Sequence, residues 1–275
     1  MARQRLGQHF LADAGWREEI ARAIRVSPQS IAPHAGGDSA DFCWIEIGAG
    51  HGEMTEHLAS TGAPVQAIEL DAQLAATLKK LAKRFPNVEV VSADILELDI
   101  AKIAAGKRVR IYGNLPYYIT SPILQHLFAS AELIDEIHIV IQYEVALRLA
   151  AQPGTRDYGY LSVLTQYFSR PELVLEIPRG AFRPPPEVSS ALVTLRLPGE
   201  RAKLPKIDEA SFLEFVKSCF AQKRKTLVNN LKSRVKPELV REALAKLNLR
   251  VDARGEQLSV ANLAAMFNRL EISNT

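Results

Sequence analysis

Cysteine is scarce in this chain. Cys43 and Cys219 are the only two among 275 residues, and neither has a second Cys or a His at metal-ligand spacing. That excludes a disulfide framework and a Cys/His zinc site. Long apolar runs are missing as well. No segment approaches the ~20 residues needed to cross a bilayer. The opening stretch, MARQRLGQHFLADAGW, holds no apolar core of signal-peptide length. Charged residues amount to only 24%, against 47% hydrophobic. A chain so composed buries a sizeable core rather than staying disordered by self-repulsion. The expectation is a cytoplasmic protein with no membrane segment and no bound metal.

The net charge of +3 says little, but its distribution says more. From Arg201 to Thr275 there are 15 Lys and Arg against 8 Asp and Glu, a net of +7; the rest carries 19 against 23, a net of −4. Such asymmetry suits a polyanionic partner near the C-terminal part, although a solvated helical surface would look the same.

Apolar strand-like runs alternate with helix-like stretches along the first part. FCWIEIG, PVQAIELD, VEVVSAD, RVRIYGN and EIHIVIQ read as strands. Between them EMTEHLAST, AQLAATLKKLAKRF and SPILQHLFASAELI have helical spacing, the last with Ser121 as N-cap and Pro122 at its first position. This alternation predicts an open, mostly parallel α/β sheet. PELVLEIP and SALVTLRL are two further strands with no clear crossover helix between them, which suits an antiparallel edge. RLPGERAKLPKID breaks the pattern, and beyond it only helical signals follow: SFLEFVKSCF, KTLVNNLKSR, PELVREALAKL and VANLAAMFNRL. The expected organisation is an α/β domain over residues 1–200 and a smaller all-helical domain over residues 201–275.

In open α/β sheets ligands bind beyond the C-terminal ends of the strands. The first strand ends in EIGAGHG, with Glu46, Gly48, Gly50 and Gly52. Its G-x-G-x-G spacing lets the backbone approach a ligand, but it is not the dinucleotide G-x-G-x-x-G, and a tight strand-to-helix turn needs glycines too. The second strand ends in Glu69, 21 residues after Gly48, near the ~20-residue offset at which an acid meets ribose hydroxyls. Asp71 is the better cap for the following helix, which leaves Glu69 for a ligand. The third strand ends in Asp94, an acceptor for an adenine amine or a turn residue. The fourth ends in Asn114-Leu115-Pro116-Tyr117-Tyr118, where turn chemistry accounts for Asn114 and Pro116 but not for the tyrosines.

NLPY matches the [N/D/S]-[P/I/L]-P-[Y/F/W] motif of amino methyltransferases. Glycine loop, acid, Asp and NLPY stand in that order, together with GQHFL (Gly7–Leu11), FRPPPEV (Phe182–Val188) and FAQKRKTLVNNL (Phe220–Leu231). In this combination the chain resembles the rRNA adenine N6-dimethyltransferases over nearly its whole length. The resemblance implies a Rossmann-like, class I methyltransferase sheet. It also implies transfer of methyl groups from S-adenosylmethionine to the N6 amines of two adjacent adenosines near the 3′ end of small-subunit rRNA, with a role in assembly of the 30S subunit.

By the same resemblance, Asn114 through its side-chain oxygen and Leu115 through its main-chain carbonyl accept the amine hydrogens. Pro116 stiffens the loop, Tyr117 stacks on the base and Phe182 covers its other face. Gly48, Gly50, Glu69, Asp94 and Asn114 hold the cofactor, with His9 and Leu11 closing over it. Arg3, Arg5, Lys223, Arg224 and Lys225 are candidates for phosphate contact, and the expected state is a monomer.

A nicotinamide dehydrogenase would share the glycine loop and the acid but not NLPY or FRPPPEV. A DNA adenine methyltransferase would not carry GQHFL and FAQKRKTL. Pyrimidine C5 methylation needs a thiolate, and neither cysteine follows a proline as that motif requires. A large-subunit rRNA methyltransferase of the antibiotic-resistance type more often has Ile at the Leu115 position. A protein acting mainly as a ribosome-assembly binding factor is compatible with the catalytic reading.

Overall fold

A computed structural model describes residues 9–25, 42–116 and 119–270. Arg3, Arg5 and Tyr117 lie outside the described residues. The chain begins with β1 (Phe10–Leu11), α1 (Ala14–Ala23), β2 (Phe42–Ile47), α2 (Glu53–Ala59), β3 (Val65–Glu69), α3 (Ala72–Ala82) and β4 (Val88–Ser92). It continues with α4 (Ile100–Ala104), β5 (Arg108–Asn114), α5 (Thr120–Phe128), β6 (Ile134–Gln142), α6 (Tyr143–Ala150) and α7 (Tyr160–Phe168). Then come β7 (Arg170–Ile177), β8 (Phe182–Arg183), β9 (Ser190–Arg196), α8 (Glu209–Cys219), α9 (Leu227–Leu231), α10 (Pro237–Lys246) and α11 (Val260–Arg269).

Among the described residues, seven strands form one sheet in the order β4-β3-β2-β5-β6-β9-β7, and β1 pairs antiparallel with β8 in a second, two-stranded sheet. The pairs β2–β3, β3–β4, β2–β5 and β5–β6 are parallel, whereas β9 runs antiparallel to β6. This is the mostly parallel Rossmann-like sheet expected, with β9 and β7 at its antiparallel end. β2 is buried along nearly its full length, as a central parallel strand covered on both faces must be. The connections leave β2 and β5 toward opposite sides of the sheet, so these neighbours form the switch point where such sheets bind ligands.

Local signals set the boundaries of the elements. Asp71 caps α3 by accepting from the Gln73 and Leu74 amides at 2.8 and 3.2 Å, a contact worth ~1 kcal/mol. α5 opens two residues earlier than expected, with Ile119 at the N-cap and Pro122 as its third residue. Proline is tolerated there because the first-turn amides have no intrahelical acceptor.

The chain divides into two compact units, Met1–Ala146 with Glu172–Leu197, and Leu147–Pro171 with Pro198–Thr275. The single boundary expected near residue 200 therefore differs from the observed division, because residues 147–171 go with the helical unit. Within that unit Tyr167 packs on Phe212 and Phe212 on Phe267, with ring centroids 5.0 and 5.7 Å apart. The buried Tyr158 hydroxyl donates to the Leu258 carbonyl at 2.9 Å. These aromatic contacts span about a hundred residues of sequence and have no local signature. Among the described residues no helix is long and apolar enough to cross a membrane.

Candidate active site

β2 delivers the glycine loop to the sheet edge. Gly48 and Gly50 have φ of +70° and +58°, in the left-handed region that residues with a Cβ rarely adopt. A Cβ on Gly50 would also stand 3.3 Å from the Phe10 ring, so this loop and the N-terminal strand approach at backbone distance.

Glu69 ends β3 almost fully buried. Its Oε2 accepts from the Gly50 amide at 2.8 Å and its Oε1 from the Asp71 amide at 2.9 Å. A carboxylate offers about four lone-pair positions, so these two bonds lock its plane while leaving acceptor capacity for hydroxyl groups. Asp94 caps the short turn after β4 through Oδ1, which accepts from Leu96 N at 2.9 Å. Both acids line one cleft with Gly48, Pro116 and the apolar side chains of Leu70, Ile95, Ile119 and Ile123. The cleft encloses about 500 Å³ including its open mouth, within the range of small-molecule sites. Leu70 is 54% exposed beside it, an apolar wall with no cover of its own. In the sequence these wall residues carry no assigned role; a leucine directly after the strand-end acid is the one available signal.

A second cleft lies on the other side of Gly48, lined by Phe10, Leu11, Arg17, Glu46, Glu53, Tyr112 and Asn114 among others. Glu46 and Tyr112 are register partners on β2 and β5. Glu46 is buried and accepts from the Thr55 hydroxyl at 2.5 Å. Burial, helped by the charges of Glu53 and Glu69 and opposed by the Thr55 bond, pushes its carboxyl up to about 8. The Tyr112 hydroxyl is buried without a hydrogen-bond partner, and burial pushes it upward too.

Glu46 makes stability depend on pH. The native state keeps a proton that the unfolded chain releases near 4.5, so stability falls as pH rises from there through about 8. The slope contributed by this one group is at most about 1.4 kcal/mol per pH unit. Glu46→Gln is expected to be progressively more stable relative to the parent as pH rises from 5 to 8, measured by urea unfolding. Parallel pH profiles for the two proteins would show that Glu46 is ionised in the fold.

The strand β5 ends in Asn114, and Leu115 follows with its side chain buried and its amide donating to the Val140 carbonyl at 3.0 Å. The Asn114 Nδ2 donates to the His9 carbonyl at 2.8 Å. The His9 Nδ1 in turn stands 2.8 Å from the Pro184 carbonyl; a carbonyl accepts only, so that nitrogen carries the proton. The pairs Phe10↔Arg183 and Leu11↔Phe182 continue the link. One N-terminal strap therefore ties together the glycine loop, the NLPY turn and the FRPPPEV loop. Leu11 lines the second cleft, whereas the side chain of His9 is turned to Pro184.

Phe182 is a correction. It is 0% exposed and belongs to a core cluster with Leu11, Tyr112 and Ile177. A ring with no exposed face has none to lay on a base, because the β1–β8 pairing sets it inside the core. Lys223, Arg224 and Lys225 lie in the helical unit, exposed in the turn between α8 and α9, and the Lys223 ammonium donates to the Arg156 carbonyl. Among the described residues no group of three or more His, Cys, Asp or Glu could hold a metal ion.

Comparison with known proteins matches residues 1–271 to the family model described as ribosomal RNA adenine dimethylase. A ribosomal RNA small subunit methyltransferase A from Koribacter versatilis is 39% identical, over 97% of this chain and 93% of that one. The protein of the same name from Xanthomonas campestris is 37% identical, over 97% and 95%. Among solved structures, the 23S rRNA methyltransferase ErmE superposes with a TM-score of 0.67 at 27% identity, over 95% of this chain and 99% of that one. A dimethyladenosine transferase from Plasmodium falciparum reaches a TM-score of 0.78 over 96% and 99%, and at 24% identity it speaks to the fold.

Proposed function

From a chain that belongs to the ribosomal RNA adenine dimethylase family, we infer an S-adenosylmethionine-dependent methyltransferase that dimethylates N6 of two adjacent adenosines near the 3′ end of small-subunit rRNA. The observation that carries this reading is the placement of Asn114. Its amide nitrogen is committed to the His9 carbonyl, so its oxygen lies on the opposite branch of the amide, available as an acceptor at the switch point. An exocyclic adenine amine is a poor nucleophile because its lone pair is delocalised into the ring. Asn114 Oδ1 and the Leu115 carbonyl accept the two amine hydrogens and turn the lone pair out of conjugation. Pro116 lacks an N–H and restricts the loop to one φ, and Tyr117 stacks on the base.

The cofactor, when bound, supplies a methyl on a sulfonium as an electrophile. Glu69 holds the ribose hydroxyls, Asp94 accepts from the adenine amine, and Leu70 and Ile95 enclose the ring. Two clefts meeting at Gly48 suit a ligand with a nucleoside at one end and a polar chain at the other. Positioning then supplies much of the rate, with no covalent enzyme intermediate.

The partner we assign is the assembling 30S subunit, met in the cytoplasm by a monomer. Greater identity to relatives named for the small subunit favours this over a large-subunit target. The test is mass mapping of RNA after unmethylated 30S particles and unmethylated 50S particles are incubated, separately, with protein and S-adenosylmethionine. Two adjacent dimethyladenosines are expected. Methylation confined to large-subunit RNA would replace this reading with the antibiotic-resistance type.

Lys223, Arg224 and Lys225 contact rRNA phosphates in this scheme, with Arg3 and Arg5. Each neutralised phosphate releases counterions, so replacing the three by Ala should lower the salt dependence of 30S binding by about 2–3 units of log–log slope. Filter binding over about 50–300 mM salt measures it. An unchanged slope would make the cluster a solvated surface.

A further inference from the structure

The second cleft holds a cation that the mechanism does not use. Arg17, on α1, lines it together with Glu46, Glu53, Tyr112 and Asn114. Its Nη1 donates to the Leu11 carbonyl at 3.1 Å and the Ala12 carbonyl at 2.8 Å, which fixes the guanidinium against the strap. Guanidinium has five N–H groups in a planar fork, and Nη2 and Nε carry three of them beyond Nη1. Tyr112, 2% exposed, also lines this cleft, and its hydroxyl is buried without a partner. A buried hydroxyl left unpaired costs stability unless something polar meets it. The cleft thus combines a fixed planar cation, an unpaired buried hydroxyl and two carboxyl groups. That set matches a zwitterion, with a carboxylate for the cation, and with Glu53 and the carbonyl oxygen of the neutral Glu46 carboxyl as acceptors for an ammonium.

We propose that Arg17 is the carboxylate-recognising residue for the amino-acid end of the cofactor, with Tyr112 donating to the same end. This rests on the methyltransferase reading above and adds a specificity-determining residue to it. A planar fork suits a carboxylate better than the point charge of lysine. Arg17 also braces the strap, so a simple loss of affinity in a variant would not separate recognition from support.

A chemical cycle separates them. S-adenosylhomocysteine and its decarboxylated analogue, which keeps the adenosine, sulfur and propylamine chain, are titrated calorimetrically into the full-length protein and into Arg17→Ala and Arg17→Lys. The parent is expected to prefer the carboxylate ligand by about 10- to 100-fold, the range for a charged hydrogen bond. Arg17→Ala should bind the two ligands within about 3-fold of each other, and Arg17→Lys should fall between. If Arg17→Ala keeps the parental preference while both affinities drop together, Arg17 only supports the strap and the proposal fails. No preference in the parent overturns it as well. If the parent binds neither ligand, the cofactor assignment itself falls, and this inference with it.

Discussion

Asn114→Ala is expected to lower kcat by about 10²–10³, the cost typical of removing one group that acts on developing charge, while S-adenosylhomocysteine affinity falls only modestly. The reason lies in the timing of the interaction. The side-chain oxygen gains its importance as positive charge builds on the amine during transfer, and such contacts act on kcat more than on binding. The strap makes the prediction specific, because Nδ2 is already paired with the His9 carbonyl at 2.8 Å. Asn114→Asp tests that arrangement separately. A carboxylate keeps the oxygen but cannot donate to His9, and it places an acceptor against an acceptor. It should lose activity through misplacement and loosen the N-terminal strap, visible as faster amide exchange around Phe10 and Leu11. Single-turnover kinetics on unmethylated 30S particles give the rate. A raised KM with kcat intact would make Asn114 a binding residue and remove the role assigned to it.

Glu69→Ala should be the most damaging change on the cofactor side. Two effects coincide. The ligand loses its charged acceptor, worth about 1.5–3 kcal/mol, or roughly a 10- to 100-fold drop in affinity. The protein loses the acceptor for Gly50 and Asp71, whose amides Glu69 holds at 2.8 and 2.9 Å. The Gly50 amide, left buried and unpaired, costs about 1–3 kcal/mol, whereas the part-buried Asp71 amide can turn to water at a smaller cost. Glu69→Gln distinguishes the two. Its single carbonyl oxygen can serve one backbone donor, and its NH₂ would face the other, so much of the stability cost should persist. Calorimetric titration with S-adenosylhomocysteine gives the affinity and thermal unfolding gives the stability. Unchanged affinity in Glu69→Ala would take the residue out of the cofactor site and leave it as the brace of the glycine loop.

Much of the site was legible in the residues because it is ordered along the chain. Gly48 and Gly50, Glu69, Asp94 and Asn114 each follow a strand-like run, and parallel strands deliver their C-terminal ends to one edge. RVRIYGN corresponds residue for residue to β5. Asp71 is the cap that its position before α3 announces. Less legible was what each residue does with its second bond. Glu69 could be read as an acid left for a ligand, but not as the acceptor that also holds Gly50. Glu46 was visible beside the glycines, yet only its burial explains why it keeps a proton.

Strand and helix order, the glycine turn and the polar strand ends were determined by the sequence itself, since periodicity and turn chemistry act over a few residues. The tertiary structure decided the rest. β1 and β8 have two residues each, too short for any period, and pair across about 170 positions of sequence. Their pairing buries Phe182, turns His9 to Pro184 and sets the His9 carbonyl against Asn114, 105 residues away. Arg17 reaches the second cleft only because α1 follows that strap. Residues 147–171 join the helical unit through Tyr158 and Tyr167, although they run directly into β7, one of the last two strands of the sheet. Which neighbour a side chain meets depends on chain closure over a hundred residues, and local patterning carries no record of that distance.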